Sequence, residues 1–413
     1  MSQHSNTNTI VIVGAGQAGG QAARQLLAEG YAGRIVLAGA ESYPPYERPP
    51  LSKAVLKDAT AESTLPILSA DELADPRIEF CPATSVTEVD PRGAIARLSS
   101  GESIRFDACL IATGGNARAL PIPGAELCCN LRTLDDSREL RARLTPGKRL
   151  VIIGGGVIGC EVAATAISLG CEATILEAGA RLMARILPPA GSDWLASRQI
   201  EAGVRIATGA RVERILRQGD ALRVEGVDDR GAPLKIEADI VLSSVGMVPN
   251  AGLVPASAQG TSGGILTDAC GRVTELPGIF ALGDVAESWN AIYGRTLRLE
   301  TWRNADKQAR AIARTICGNE TPHVEIPWMW TDQLGHNIQV VGLWTEGAKV
   351  VCRGDMGEPG SAMLWLEDGV LRGGVLIDAG RERRFLEKLV ETGARPSPEA
   401  LADPSLPLKS LLA

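Results

Sequence analysis

The chain has 413 residues, of which 45% are hydrophobic and 22% charged, a composition that excludes disordered and collagen-like classes. Its 42 basic and 49 acidic side chains give a formal net charge of −7, which argues against a protein that binds the phosphate backbone of nucleic acids. The length is sufficient for two or more domains.

The N-terminal segment is polar, and no apolar run approaches the ~18 residues that cross a bilayer, so we expect neither a signal peptide nor a membrane anchor. Nine cysteines include no Cys-x-x-Cys pair, and Cys128 and Cys129 are adjacent. We therefore expect reduced thiols and a cytoplasmic protein rather than disulfides or an iron–sulfur cluster. Only three histidines are present, and we expect no metal site.

The first predicted element is a strand, a glycine-rich turn and a helix over residues 9–30, TIVIVGAGQAGGQAARQLLAEG. In Gly14-x-Gly16-x-x-Gly19, the three glycines would allow a tight turn, a close approach of the backbone to a pyrophosphate, and close helix–strand packing. The helix N-terminus would offer unpaired N–H groups to phosphates. The next strand ends near Glu41, which suits hydrogen bonds to an adenine ribose.

The same pattern returns over residues 149–170, RLVIIGGGVIGCEVAATAISLG, with the glycines Gly154, Gly156 and Gly159. A single such turn is weak evidence, because any glycine-rich loop can produce one. Two copies, each between a strand and a helix and each followed by an acidic residue, predict two dinucleotide-binding units.

The acidic residue of the second copy is Glu177, at the end of its next strand. A carboxylate at this position accepts hydrogen bonds from the ribose hydroxyls and repels a 2′-phosphate, so the sequence predicts NADH rather than NADPH. Arg181 and Arg185 follow, and an arginine could hold a 2′-phosphate. We assign Arg185 instead to the NADH pyrophosphate.

The remaining predicted elements indicate how the chain is organised. Single strands are predicted over residues 106–115 and 238–250, and a turn and buried strand over residues 274–284. Beyond residue 322 the glycine pattern stops, and three antiparallel strands and a helix are predicted over residues 337–342, 362–366, 370–377 and 381–391. The predicted domains are a discontinuous first domain (1–112 and 245–321), an inserted domain (113–244) and a C-terminal α+β domain (322–413).

The motifs GAGQAG, PPYERPPLSK, LIATGG, LRTLDD, GGGVIGCE, ALGD, ETWRNA and PWMWTDQ occur in order along nearly the whole chain. Together they resemble the FAD-dependent NADH:ferredoxin reductases of bacterial cytochrome P450 and aromatic-ring dioxygenase systems, a putidaredoxin reductase-like family. The resemblance implies an α/β, glutathione-reductase-like fold with two Rossmann-type domains and an α+β C-terminal domain. It also implies non-covalent FAD and electron flow from NADH to a [2Fe-2S] ferredoxin that feeds a P450 or a ring-hydroxylating oxygenase.

The resemblance also implies roles for individual residues. The FAD contacts it implies are Gly14, Gly16, Ala18, Gly19, Glu41, Arg48, Lys53, Val86, Ala112, Arg132, Asp284, Trp302 and Trp330. The NADH contacts it implies are Gly154, Gly156, Val157, Ile158, Gly159, Glu177, Arg185 and Glu300. A lysine near the flavin can stabilise the negative charge that develops on reduction, and we expect Lys53 to pair with Glu161 in this catalytic role.

A basic stretch is a candidate docking surface for the ferredoxin. It lies in an acidic chain and includes Arg295, Arg298, Arg303 and Arg310. A basic face near the flavin would steer an acidic ferredoxin towards it. The oligomeric state is left open by the sequence.

Rival functions remain at this point. Disulfide reductases of this architecture need a cysteine pair beside the flavin, and residues 41–56 contain no cysteine, which argues against thiol chemistry. A rubredoxin reductase, or another NADH-dependent flavoprotein that acts as a redox sensor or oxidase, stays open as the alternative, because fold alone does not separate these functions.

Overall fold

The structure is a computed structural model that describes residues 8–356 and 358–412. The chain forms two compact units. The first comprises the residues up to Arg48, together with Ser63–Asn116 and Val248–Glu325. The second comprises Pro49–Glu62, Ala117–Met247 and the residues from Ile326 onward.

The strands in chain order are β1 (Thr9–Val13), β2 (Arg34–Ala38), β3 (Ile78–Cys81), β4 (Val86–Asp90), β5 (Ile95–Leu98), β6 (Ser103–Arg105), β7 (Ala108–Ile111), β8 (Gly115–Ala117), β9 (Arg149–Ile153), β10 (Glu172–Glu177), β11 (Arg205–Thr208), β12 (Arg211–Gln218), β13 (Ala221–Val227), β14 (Pro233–Ala238), β15 (Ile240–Ser243), β16 (Met247–Pro249), β17 (Ile265–Thr267), β18 (Ile279–Ala281), β19 (Ala286–Asn290), β20 (Arg295–Arg298), β21 (Trp328–Gln333), β22 (His336–Gly342), β23 (Lys349–Arg353), β24 (Ala362–Glu367) and β25 (Val370–Ile377). The α-helices are α1 (Gln17–Ala28), α2 (Ala54–Lys57), α3 (Ala70–Leu73), α4 (Leu134–Arg143), α5 (Val157–Ser168), α6 (Pro189–Glu201), α7 (Trp302–Ile316), α8 (Arg383–Glu391) and α9 (Pro398–Ala402).

The first unit is built on a parallel sheet in the order β18-β7-β1-β2-β3. The central strands β1 (TIVIV) and β7 (ACLI) are apolar and buried along almost their whole length, as expected for parallel strands covered by helices on both faces. Helix α1 packs against α7 on one side of this sheet. The strand order reverses between β1 and β7, so the crevice at their carboxyl ends is where ligands bind in folds of this type. Two three-stranded sheets, β4-β5-β6 and β17-β19-β20, complete the unit.

The second unit repeats the arrangement with a parallel sheet in the order β11-β10-β9-β15. Here the strand order reverses between β9 and β15. The second glycine turn begins directly after β9. An antiparallel sheet β12-β13-β14 accompanies it, and a five-stranded antiparallel sheet has the order β21-β22-β25-β24-β23. Trp365 is fully buried in the core of this unit.

The structure confirms most of the predicted elements and corrects two. The strand predicted over residues 106–115 ends as β7 at Ile111, and β8 starts at Gly115, after Gly114 with its positive φ of 58°. The three C-terminal strands and the helix that follows them are present as β22, β24, β25 and α8. The single strand predicted over residues 238–250 is wrong. It is broken into β15 and β16, and Gly246 between them has a positive φ of 95°, which interrupts the extended backbone. Within residues 8–356 and 358–412, no helix is both long and apolar enough to cross a membrane.

Candidate functional site

The first glycine turn joins β1 to α1, and two of its glycines are required by the fold itself. Gly14 has φ of 106°, and a Cβ there would lie 2.5 Å from the carbonyl oxygen of Ala112. A Cβ at Gly19 would overlap the carbonyl oxygen of Gly14. These two positions therefore set the tight turn and the close packing of helix on strand, as the sequence predicted.

The middle glycine, Gly16, and the residue after it are not explained by backbone strain or packing. Gly16 has an ordinary φ of −87°, and its nearest neighbour, 3.6 Å from an added Cβ, is the guanidinium of Arg48. Helix α1 starts at Gln17 without a side-chain cap, so its first N–H groups are available. Both polar atoms of the Gln17 amide are buried without a hydrogen-bond partner among the described residues. Because unpaired buried amides are costly, this loop fits the polar pyrophosphate of FAD.

Glu41, shortly after β2, holds the adjoining side chains in place. The Tyr46 hydroxyl donates to its Oε2 at 2.5 Å, and Arg48 donates to its Oε1 at 2.6 Å. Burial lowers the pKa of Arg48, but Tyr46 and Glu41 raise it more, so the net pKa lies above its ordinary value. Since Arg48 also approaches Gly16, the carboxylate and guanidinium lie beside the pyrophosphate loop.

Asp284 lies beside the same helix N-terminus. It belongs to a single 3₁₀ turn in which Gly283 has φ of 74°, and a Cβ at Gly283 would lie 2.8 Å from Cβ of Ala18. Gln308 of α7 accepts the N–H of Gly283 at 2.8 Å, which fixes the turn. Asp284 is thereby held next to the first turn of α1, where the resemblance places an FAD contact.

Three further predicted FAD residues lie in the first unit. Trp302 is the first residue of α7, and burial raises the pKa of Glu47 although a hydrogen bond from Trp302 opposes the shift. Ala112 is buried directly after β7, at the crevice between β1 and β7. Val86 is the first residue of β4 and is half-buried.

The second glycine turn joins β9 to α5, and here too the fold itself requires the first and the last glycine but not the middle one. Gly154 has φ of 107° and lies against the carbonyl of Ser244, and a Cβ at Gly159 would overlap the carbonyl of Gly154. Gly156 has an ordinary φ of −77°, and an added Cβ would project into open space. Neither strain nor packing requires this glycine, whereas a closely approaching dinucleotide would.

The first turn of α5 presents apolar side chains near this loop. Val157 is half-buried, and Ile158 is 39% exposed. An exposed isoleucine at a helix start is consistent with an apolar contact to a bound ligand.

Glu177, at the end of β10, accepts hydrogen bonds from two loops of the second site. Its Oε2 accepts the N–H of Gly155 at 2.6 Å, and its Oε1 accepts the N–H of Gly179 at 2.6 Å. A carboxylate oxygen accepts more than one hydrogen bond, so Glu177 keeps acceptor capacity for ribose hydroxyls.

The two arginines after Glu177 differ in their surroundings. Arg181 donates to the Leu187 carbonyl at 2.5 Å and pairs with Glu346 at 3.1 Å, so it has a structural role. Arg185 is exposed. The remaining predicted NADH residue, Glu300, lies in the first unit and pairs with Arg298 at 2.7 Å.

The predicted ion pair between Lys53 and Glu161 is present in the second unit. The Lys53 Nζ lies 3.0 Å from Oε1 of Glu161, whose side chain is only 3% exposed. Ser52 donates a hydrogen bond to Oε2 of Glu161, and Thr331 donates to Oε1 at 2.6 Å. A buried carboxylate with an ammonium group and two hydroxyl donors is a fixed charge pair, and it can stabilise negative charge nearby.

Two other predicted FAD residues belong to the second unit. Trp330 in β21 stacks on Trp328, with ring centroids 5.2 Å apart and planes at 22°. Arg132 is half-buried just before α4, and its backbone N–H bonds Asp136 at 2.9 Å.

The predicted basic face is smaller than the sequence suggested. Arg303 is 8% exposed and donates to Glu325 at 2.6 Å, and Arg298 is engaged with Glu300. Arg303 is buried because it lies on the side of the amphipathic helix α7 that faces the core, whereas Arg298 lies in β20 beside its partner Glu300. Arg295 and Arg310 are exposed and remain available.

Burial raises the pKa of eight of the nine cysteine thiols and so disfavours their thiolate forms. Burial raises the pKa of Cys109 and of Cys128 to about 12, and that of Cys129 to about 11. All nine thiols are free rather than paired in disulfides. Among the described residues, no group of three or more His, Cys, Asp and Glu side chains is placed to hold a metal ion.

Sequence reasoning missed four residues that complete these sites: Gln17, Tyr46, Ser52 and Thr331. Gln17 and Ser52 are direct neighbours of predicted residues, so a systematic reading of motif neighbours would have found them. Thr331 is also a direct neighbour of a predicted residue, Trp330, but its role is not visible in the sequence, because its partner Glu161 lies 170 positions away.

Two parallel sheets, each with a glycine turn and a terminal glutamate, define a protein with two dinucleotide-binding sites. A family model described as pyridine nucleotide-disulphide oxidoreductase matches residues 8–309, and one described as reductase C-terminal matches residues 328–412. The chain therefore belongs to the pyridine nucleotide-disulphide oxidoreductase family.

Individual relatives confirm the resemblance seen in the motifs. The chain is 39% identical over 408 residues to the benzene 1,2-dioxygenase system ferredoxin–NAD(+) reductase subunit of Pseudomonas putida, with 98% of each chain covered. It is 36% identical over 344 residues to a rubredoxin–NAD(+) reductase of Pseudomonas putida, covering 83% of this chain and 88% of that one. A crystallised ferredoxin reductase from Rhodopseudomonas palustris has a TM-score of 0.91 and 36% identity, covering 98% of this chain and all of that one.

Proposed function

We propose that the protein is an NADH-dependent, FAD-containing reductase that passes electrons to a small [2Fe-2S] ferredoxin. The ferredoxin would feed a ring-hydroxylating oxygenase or a cytochrome P450. The observation that carries this proposal is the pair of dinucleotide loops combined with the Lys53–Glu161 ion pair, in which Lys53 comes from residues 41–56, a segment without cysteine. A relative aligned over 98% of each chain is a ferredoxin–NAD(+) reductase subunit, and the matched crystal structure is that of a ferredoxin reductase.

The residues of the first unit fit FAD. The uncapped start of α1, the unpaired Gln17 amide and the Glu41–Arg48 pair would hold its pyrophosphate and ribose side, with Asp284 beside them. Held by these residues, FAD would supply a hydride acceptor for NADH and a one-electron donor for the carrier. We include Val86, Ala112 and Trp302 in this proposed site, whereas Arg132 and Trp330, which belong to the second unit, stay proposed FAD contacts on the family resemblance alone.

The residues of the second unit would bind NADH and supply charge. Glu177 would accept the ribose hydroxyls and disfavour a 2′-phosphate, and exposed Arg185 would meet the pyrophosphate. Lys53, held by Glu161, would place a positive charge where reduction adds negative charge. No acid–base step by the protein is needed, because hydride transfer requires positioning and exclusion of water.

The domain roles and location follow from the same proposal. We assign FAD binding to residues 1–112 and 245–321, NADH binding to residues 113–244, and the C-terminal role to residues 322–413. The family models divide the chain near the last of these boundaries. Nine free thiols support a cytoplasmic location, where thiols stay reduced.

The ferredoxin would dock on a face that includes Arg295 and Arg310. Both are exposed, and Lys307, one helical turn before Arg310, is 48% exposed although it contacts Glu325. Trp289 of β19 is 47% exposed, close in the β19–β20 hairpin to Arg295. An exposed aromatic with arginines nearby is typical of protein interfaces.

The second candidate is a rubredoxin reductase, which is favoured by the 36% identical relative of that activity. Steady-state electron transfer separates the candidates. Purified FAD-loaded protein is given NADH or NADPH and offered a [2Fe-2S] ferredoxin, a rubredoxin, or oxygen alone. We expect fast ferredoxin reduction with NADH. Transfer to rubredoxin alone would support the second candidate, and consumption of oxygen without transfer to either carrier would indicate an oxidase or sensor.

A further inference from the structure

A buried chain of hydrogen bonds in the second unit starts and ends at neighbouring residues of α5. The backbone carbonyl of Cys160 accepts from Nε2 of Gln199 at 3.1 Å, and the same Nε2 donates to Oε1 of Gln333 at 2.9 Å. Nε2 of Gln333 donates to the Thr331 hydroxyl at 2.9 Å. The Thr331 hydroxyl lies 2.6 Å from Oε1 of Glu161.

The direction of every hydrogen bond in this chain is determined by its first member. A backbone carbonyl only accepts, so Gln199 must turn its NH₂ group towards Cys160. That NH₂ group also meets Gln333, which must therefore present its oxygen to Gln199 and its own NH₂ to Thr331. The Thr331 oxygen is then an acceptor from Gln333, and its hydrogen points to Glu161.

Burial of these polar side chains costs free energy, and hydrogen bonds offset that cost only for the atoms that have partners. Thr331 and Gln199 are fully buried, and Gln333 and Glu161 are 3% exposed. The Oε1 of Gln199 has no hydrogen-bond partner within the described part of the chain. Apolar side chains of similar size would fill this space without an unpaired atom. This chain of hydrogen bonds links α6 and β21 to the first turns of α5.

We propose that Thr331 is a positioning residue, oriented by Gln333 and Gln199, which holds the Glu161 carboxylate in the rotamer that faces Lys53. This inference rests on the proposed function, because the value of a fixed Lys53–Glu161 pair is the charge it presents during reduction by NADH. Ser52 donates to the other carboxylate oxygen, so Glu161 is held from both sides. Loss of the Thr331 donor leaves Oε1 of Glu161 with Lys53 alone.

The test compares Thr331→Val, which keeps the shape and removes the hydroxyl, with Thr331→Ser, which keeps the hydroxyl. The first measurement is independent of turnover. FAD-loaded protein is reductively methylated, and labelling of Lys53 is followed by mass spectrometry, with exposed Lys349 as the internal control. We expect Lys53 to react several-fold faster in Thr331→Val, at the wild-type rate in Thr331→Ser, and Lys349 to be unchanged throughout.

The second measurement is the rate of flavin reduction by NADH. A displaced catalytic group typically costs on the order of a hundred-fold in rate, so we expect Thr331→Val to be slower by about ten- to a hundred-fold and Thr331→Ser to stay close to wild type. Gln333→Met, which removes the donor that orients Thr331, should fall between them. It also provides a second test if Thr331→Val does not fold.

The outcomes separate this inference from the proposed function. Equal Lys53 labelling and equal flavin reduction in Thr331→Val and wild type would overturn the positioning role. Equal losses in Thr331→Val and Thr331→Ser would overturn it as well, because a packing defect would then explain both. A wild-type protein that NADH does not reduce would refute the proposed function, whereas the Lys53 labelling would still test the position of Glu161.

Discussion

Substitution of Glu177 by glutamine is the sharpest test of nucleotide choice. Glu177→Gln keeps the size of the side chain and removes its negative charge. In the wild-type protein the Glu177 carboxylate accepts hydrogen bonds from the N–H groups of Gly155 and Gly179, each at 2.6 Å. In the variant, one of these N–H groups faces the new NH₂ group, so one hydrogen bond is replaced by a contact between two donors.

The size of the effect follows from these contacts. A hydrogen bond to a charged group contributes ~1.5–3 kcal/mol, so binding of NADH should weaken by about ten-fold or more through the disturbed loop. A carboxylate and a phosphate charge ~4 Å apart repel by ~4 kcal/mol at an effective dielectric constant of about 20, and partial exposure of Glu177 reduces this. Removal of the charge should therefore improve NADPH relative to NADH by roughly a hundred-fold.

The assay is kcat/KM of the FAD-loaded protein for NADH and for NADPH, with a ferredoxin as acceptor. Glu177→Asp serves as the matched control, because it keeps the charge and shortens the side chain. We expect the kcat/KM for NADH divided by that for NADPH to fall about a hundred-fold in Glu177→Gln. The same ratio should stay above unity in Glu177→Asp. An unchanged ratio in Glu177→Gln, with normal FAD content and thermal stability, would refute the role of this carboxylate.

Three other predictions concern separate parts of the molecule. Burial and nearby cations lower the pKa of His323 to about 4, so the native state should lose up to about 3 kcal/mol of unfolding free energy as pH falls from about 6.5 to about 4. Urea unfolding of wild type and His323→Gln checks this, and an identical pH dependence would contradict it. A thiol reagent should label exposed Cys352 first, without loss of NADH oxidation, and buried Cys109 only on unfolding; inactivation in step with Cys352 labelling would indicate thiol chemistry. The double charge reversal Arg295→Glu with Arg310→Glu should slow ferredoxin reduction about ten-fold at low salt while flavin reduction by NADH is unchanged, whereas a rate insensitive to both charge and salt would exclude this face.

The sequence predicted those parts of the site that are local in the chain. Gly14, Gly19, Gly154 and Gly159 are needed because strand, turn and helix follow one another directly, so their spacing alone reveals them. Glu177 was likewise found from its place at the end of the next strand.

Other features depend on tertiary packing and left weaker signals. The Lys53–Glu161 pair joins residues 108 positions apart and was expected only through the family resemblance. Thr331 lies beside bulky tryptophans in the sequence, and nothing local shows that it meets Glu161. The burial of Arg303 was missed because its partner Glu325 lies outside helix α7. Counting charges along the basic stretch does not show that the two residues pair.

The most direct test of the central claim is an anaerobic stopped-flow experiment on the FAD-loaded protein. Flavin absorbance is followed after mixing with NADH, and the reduced protein is then mixed with an oxidised [2Fe-2S] ferredoxin. The proposed function predicts rapid flavin bleaching by NADH, much slower bleaching by NADPH, and return of the flavin absorbance as the ferredoxin is reduced. Failure of NADH to bleach the flavin would contradict the claim that this chain is an NADH-dependent flavin reductase.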